Sequence, residues 1–420
     1  MSVSRLFFAS LLLALAVAAN ATTLPDVRRV EFDNGVVLLL NVKNDVPHVG
    51  VSARLKGGAA QDPADRHGLA SLYASLLSKG AGDRDTAAFA EAIEAVGGRL
   101  SAYADLESIT VSGDFLARDT DLMIELLSDM LVRPHLDSQE FEKLKLRSIN
   151  LSSAAKDSDP GQILPSYANA WLFGDHPYGN PIDGSEASLA AIEHADVLAY
   201  HDVATGGDRL VIAISGDIDA DQVEASLREA LGDWRPATGE LAPMAGSDAS
   251  EGRRVLLIDK PGATQTYFWI GNRGVAIDFE RRADLDIANT LFGGRFTSML
   301  NKALRVEAGL TYSARSVLDR PLQPGTVSIR SYTATATTTE AIDLALATLD
   351  RLHAEPFDDA SIASALNYID GQFPMLLETA PQLASMFARL EHYGLDNDYI
   401  DGYADRLMAV TSGSAASVVA

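Results

Sequence analysis

Apolar and polar residues change their period several times along the chain. Residues 31–40 (EFDNGVVLLL) hold two short runs split by Asp33-Asn34-Gly35, a tight-turn signal that predicts a hairpin. Residues 49–56 (VGVSARLK) alternate apolar and polar, which predicts a half-buried strand. The spacing of Leu69, Leu72, Tyr73, Leu76 and Leu77 predicts a helix over 68–79. A second helix follows Thr86 and ends at Gly97-Gly98. Strand patterns then cover 101–107 and 108–115, and amphipathic helices cover 119–132 and 137–151. The continuous apolar run at 209–215 (RLVIAIS) predicts a buried closing strand.

A similar order recurs. Strands are predicted at 255–259 (VLLID) and 265–271, helices at 281–292 and 296–307, strands at 310–317 and 325–333. Helices starting near Thr339 and at Asp358-Asp359 match those starting near Thr120 and at Asp137-Ser138, an offset of about 220 residues. The pattern predicts an α+β chain of two homologous domains, 24–235 and 253–420, each a mainly antiparallel sheet packed with helices. The Pro-, Gly- and acid-rich stretch 236–252 is the expected linker. No run after residue 411 matches the closing strand of the first half. Either the sequence stops short of the domain end or the second sheet is one strand short. The first is the expectation.

Composition narrows the function classes. Cysteine is absent, which removes disulfides, thiolate zinc sites and a cysteine nucleophile. Lys and Arg number 34 against 58 Asp and Glu, a formal charge of −24. Such a surface repels phosphate backbones and anionic lipid, so no nucleic-acid partner is expected. Leu6–Ala19 is apolar apart from Ser10, follows the lone charge Arg5, and precedes Ala19-Asn20-Ala21. A basic start, a short apolar run and a small-x-small site predict a signal peptide over residues 1–21 and an exported, periplasmic protein. That run is 14 residues, short of the ~20 a membrane span needs.

The order of the DNG hairpin, GGAAQDP (57–63), GLASLYASLLSKG (68–80), HPYGNPIDGS (176–185) and FGGRFTSMLNKALRVEAGLTYSARS (292–316) resembles the insulinase/pitrilysin family of zinc metallopeptidases. The resemblance runs over about residues 24–411 and is strongest to bacterial two-domain members related to mitochondrial processing peptidase. It implies two metallopeptidase-like domains. Active members carry H-x-x-E-H on the helix after the GLA, with two His on zinc and the Glu as general base. Here the matching positions are Ser71, Ala74 and Ser75, which helical geometry sets on one face opposite the leucines. The family's second ligand is a Glu some seventy-odd residues on, and no Glu occurs between Lys143 and Ser185. Hydroxyls are poor zinc ligands beside imidazole and carboxylate, so no metal is expected in this chain.

In two-chain members, the subunit without the zinc motif supplies an Arg and a Tyr at the spacing of Arg305 and Tyr312. The resemblance implies that this pair completes the active site in trans, on the substrate carbonyl and its oxyanion. Arg305 is expected near a helix end and Tyr312 on the next strand, with Gly309 at the turn. The partner would be a homologous subunit carrying Zn²⁺, the pair acting on a peptide substrate as a heterodimer. The alternative is a structural or peptide-binding protein of the same fold without a peptidase partner.

Other candidates carry less. His194 and His201 could share a helix face but fit no zinc pattern, and are expected to be solvated. His67 reads as a loop or cap residue, and His176-Pro177-Tyr178-Gly179 as either a turn or a functional loop. No G-x-S-x-G occurs, and Ser71 and Ser75 have no evident base. Gly293-Gly294 could admit a peptide backbone or start a helix. Strand 49–56 could offer its edge to an extended substrate.

Overall fold

A computed structural model describes residues 23–158, 160–244 and 252–419. The expected signal peptide and residues 245–251 of the expected linker lie outside them. The first sheet contains β1 (Arg28–Glu31), β2 (Val37–Val42), β3 (His48–Lys56), β4 (Arg99–Ala104), β5 (Ser108–Leu116) and β6 (Leu210–Gly216), in the order β1-β2-β6-β3-β5-β4. Only β2–β6 is parallel. All seven residues of β6 are buried, as its unbroken apolar run requires of a strand flanked and covered on both sides.

The helices around it are α1 (Leu69–Leu77), α2 (Thr86–Glu94), α3 (Thr120–Val132), α4 (Ser138–Ser158), α5 (Pro160–Phe173), α6 (Glu186–Ala191), α7 (His194–Ala204) and α8 (Ala220–Leu231). Leu72, Tyr73 and Leu76 of α1 and Leu126 and Leu127 of α3 share one core with Val49, Val51 and Ile212 of the sheet.

The second sheet holds β7 (Gln265–Arg273), β8 (Ala314–Asp319) and β9 (Thr326–Ala334), in the antiparallel order β7-β9-β8. This repeats the order β3-β5-β4. Its helices are α9 (Arg282–Asn289), α10 (Thr338–Ala354), α11 (Asp359–Gln372), α12 (Ala380–Tyr393), α13 (Asp398–Asp401), α14 (Tyr403–Met408) and α15 (Ser412–Val419). Ile287, Leu300, Leu304, Ala341 and Ala345 pack under this sheet.

Two expectations fail here. Residues 255–259 are not a strand: Val255 and Leu257 are 86% and 85% exposed. Their counterpart β2 is held by β6, and among the described residues nothing takes the place of β6 beside β7. A strand needs a hydrogen-bonded neighbour, whatever its apolar pattern.

The second concerns helix allocation. α12 belongs to the second half by sequence but lies on β3 and β6 of the first sheet. Leu383, Ala384, Phe387 and Ala388 cover Leu39, Val211 and Ala213 there. Gly50 makes the approach possible, since a Cβ on it would lie 2.4 Å from the Pro381 Cα. In return α5 lies against β7, with Leu172 and Phe173 beside Trp269 and the Arg273 guanidinium 5.3 Å from the Phe173 ring. Each sheet is thus covered on its far face by a helix of the other half.

Candidate functional site

The first candidate is the face of α1. Asp62 starts this helix, its carboxylate accepting from the Gly68 and Ala70 N–H groups at 2.8 and 2.9 Å. Burial pushes its carboxyl up to about 7, against the pull of those donors. Ser71 and Ser75 are half-buried, and Ser71 donates to Asp183 at 2.8 Å. Ala74 is fully buried in the core. The three positions therefore do not share an open face: the position of the expected general base lies in the core. One carboxylate, two hydroxyls and a methyl do not make a zinc site. The opposing α4 carries no Glu after Glu142. No group of three His, Asp or Glu side chains is gathered for a metal among the described residues.

The edge expectation for 49–56 is also corrected. β3 is interior, bonded along its length to β5 and β6. The edges of this sheet are β1 and β4, and β4 pairs only with β5 and packs against α1. Tyr103 on it is 47% exposed.

The histidines have structural tasks. His176 begins the 177–179 turn and accepts from the Tyr178 N–H at 3.1 Å. The Tyr178 hydroxyl donates to buried Glu107, which also accepts from the Leu322 N–H at 3.0 Å. The HPYG segment thus clamps the β4–β5 turn to a loop of the second half, and burial pushes the Glu107 carboxyl up. His194 and His201 are half-buried and each has a hydrogen-bond partner, rather than standing free in solvent. The His194 Nε2 lies 2.6 Å from the Leu136 carbonyl, and the His201 Nδ1 lies 2.9 Å from the Tyr73 hydroxyl. His67 lies in the turn before α1 with its Nδ1 buried and unpartnered.

The second candidate is the Arg305–Tyr312 pair. Arg305 is in the helical segment Asn301–Glu307, which ends in a wide π-type turn with Ala308 N–H bonded to the Ala303 carbonyl at 3.1 Å. Such turns are rare and recur at functional sites. Gly309 reverses the chain at φ 64°. Tyr312 lies two residues before β8 rather than on it, and is 71% exposed. Asn301 accepts from the Ala314 N–H at 3.1 Å, and Ser331 donates to Thr311 at 3.2 Å, so the loop between helix and strand is tied at both ends.

The Arg305 guanidinium lies 4.3 Å from the Tyr312 ring centre and 4.6 Å from that of Phe296. Two aromatic faces hold the cation, leaving its N–H edge without a carboxylate among the described residues. Sequence reading missed Phe296, which is 63% exposed and lies in the same FGGRFTSML stretch. An exposed aromatic in an otherwise amphipathic helix start was the available signal. The structure does not bring this cluster onto α1: one belongs to the first sheet's helices, the other to the second's. Gly293 serves packing, since a Cβ there would lie 2.3 Å from the Ser316 nitrogen of β8.

Comparison with known proteins bears on the family and the fold. The family described as Insulinase (Peptidase family M16) matches residues 36–186, and Peptidase M16 inactive domain matches 191–369. An uncharacterized zinc protease of Mycobacterium leprae is 31% identical over 285 residues, 67% of this chain and 62% of its own length. A Helicobacter pylori protein named a non-peptidase homolog is 24% identical over 309 residues, 73% of this chain and 70% of its own. The crystal structure of a peptidase M16 inactive domain from Pseudomonas fluorescens superposes with a TM-score of 0.86 at 20% identity, covering 93% of both chains. Among the described residues no helix is long and apolar enough to cross a membrane.

Proposed function

The chain belongs to the insulinase family of peptidases, M16, and on that premise we propose that it is the non-catalytic subunit of an exported, periplasmic two-chain zinc metallopeptidase. Its partner is a homologous chain that carries the metal and the general base. This chain supplies Arg305 and Tyr312 across the interface, where a directed cation and a neutral hydroxyl stabilise the oxyanion on the peptide carbonyl. The M16 inactive-domain match and the absence of zinc donors at 71, 74 and 75 support an inactive M16-like chain. One observation carries the rest. The half-buried Arg305 guanidinium is held between the rings of Phe296 and Tyr312 and makes no ion pair among the described residues, so its N–H donors are left to a bound group.

The test is co-purification of the native protein, identification of the zinc-bearing partner, and reconstitution. Tyr312→Phe keeps the ring that holds Arg305 and removes only the hydroxyl. It is expected to lower kcat by roughly 10²-fold with subunit affinity and partner zinc content unchanged. Arg305→Lys keeps charge and loses the fixed fork of donors, and is impaired as well. Full activity of both variants overturns the trans role. A rival reading, a peptide-binding protein with no peptidase partner, draws on the open β4 edge. It forecasts peptide binding by this chain alone, weakened by Tyr103→Pro and indifferent to Tyr312→Phe.

A further inference from the structure

Between α9, α11, α12 and the α13–α14 segment lies a cavity of about 280 Å³, lined by no residue of either candidate above. Its ends differ in chemistry. Three guanidinium groups, Arg282, Arg320 and Arg389, line it against a single carboxylate, Asp286. That is an unusual local balance in a chain of net charge −24. Both oxygens of Asp286 are taken: one pairs with the Arg320 Nη2 at 2.9 Å, the other accepts from the Tyr403 hydroxyl at 2.7 Å.

The two inner cations are left short of partners. Arg282 is only 8% exposed, yet it has no ion pair among the described residues. Its guanidinium stacks between Tyr399 and Tyr403, 3.5 and 4.2 Å from the ring centres, and donates one bond, to the Tyr399 carbonyl at 2.5 Å. The Nη1 of Arg320 is buried without an acceptor. A desolvated cation without a counter-ion is costly, and aromatic faces offset only part of that cost. The opposite wall is apolar, with Ile369, Leu376 and Leu395.

We infer that this cavity binds a small carboxylate with an apolar body. The carboxylate supplies the counter-ion that Arg282 lacks and an acceptor for the Arg320 Nη1, and the hydrocarbon lies against Ile369, Leu376 and Leu395. A space of about 280 Å³ is near the lower end of small-ligand pockets, roughly 300–1,000 Å³. Two sources offer this chemistry: a free medium-chain acid, and the C-terminal residue of an apolar peptide.

Calorimetric titration of the whole chain separates them, with octanoate, N-acetyl-leucine and the uncharged octanamide as probes. Octanoate or N-acetyl-leucine is expected to bind one to one, and octanamide at least tenfold more weakly than octanoate. Octanoate alone marks an acyl site, and N-acetyl-leucine alone a peptide carboxyl-end site. Arg320→Gln should weaken the bound acid at least tenfold. Leu376→Glu keeps a second line of test if that variant fails to fold: Leu376 is 53% exposed, so the fold tolerates the change while a like charge enters the mouth. It should abolish binding. No heat from either acid, equal affinity for octanamide, or unchanged binding in Leu376→Glu overturns the assignment.

Discussion

Ser71 donates a 2.8 Å hydrogen bond to Asp183, across the face of α1 where family enzymes hold their metal. A polar contact between side chains has replaced a ligand set. The neighbouring Ala74 goes further, because its methyl group has become part of the core. Position 74 of this face is therefore tied to packing.

Restoring the motif should fail for that reason. Ala74→Glu alone puts a carboxylate into a fully buried position in the apolar core, and should cost at least about 3 kcal/mol. The triple variant Ser71→His, Ala74→Glu, Ser75→His is expected to unfold early in urea and to bind no stoichiometric zinc. Denaturation curves and metal analysis check this. A stable variant holding one zinc per chain contradicts the burial reading.

Stability should depend on pH through two opposed groups. His392 on α12 is 7% exposed, and burial with Arg54 and Lys56 nearby, opposed by Asp105, lowers it to about 4. Its folded value lies below its unfolded one near 6.5, so its contribution is present above 6.5 and lost as pH falls towards 4. That loss is of order 3 kcal/mol. Asp62 has the other sign. Raised to about 7, it favours the fold below about 4 and loses that contribution as pH rises to 7. Denaturant midpoints between pH 4 and 7 should show the two offsetting each other in the native chain. His392→Leu should gain on the native chain as pH falls, and Asp62→Asn should gain on it as pH rises. Parallel profiles for all three proteins contradict the assignment.

The contact of α12 with the first sheet should fail at one position. A side chain at Gly50 collides with the backbone of Ala380 and Pro381 rather than with a movable side chain. Gly50→Val is expected to destabilise by roughly 2 kcal/mol or more, and to raise hydrogen exchange in α12 before α1. Gly371→Ala is the control for glycine loss alone, because no atom lies within 4 Å of a Cβ there and its φ is not positive.

Four apolar residues in a row, Val255 to Ile258, stand 44–86% exposed beside the unpaired edge of β7. An apolar run next to an open edge invites association. The 420-residue chain should self-associate with rising concentration in light scattering. Val255→Lys with Leu257→Lys should reduce that without lowering the melting temperature, since neither side chain is packed. Unchanged scattering places the sticky surface elsewhere.

Much of this was legible in residue order. The hairpin at Asp33-Asn34-Gly35, the amphipathic α1 and α3, and the all-apolar β6 each state their own structure locally, because periodicity and turn chemistry act over a few residues. Side-chain identity alone says that positions 71, 74 and 75 offer two hydroxyls and a methyl in place of imidazoles and a carboxylate. The same spacing that singled out Arg305 and Tyr312 put them in reach of each other across one turn.

What only the tertiary structure decided is nonlocal. Pattern marks a strand but not its neighbours, so β3 proved interior, β4 an edge, and 255–259 no strand at all for want of a partner. Amphipathicity gives α12 an apolar face without saying which sheet that face covers, and Gly50 settles it on the first. Ala74 and Ser71 are three residues apart on one helix, yet one is sealed and the other half-open. Burial is set by what packs over a helix, and its period reports only the direction each residue points.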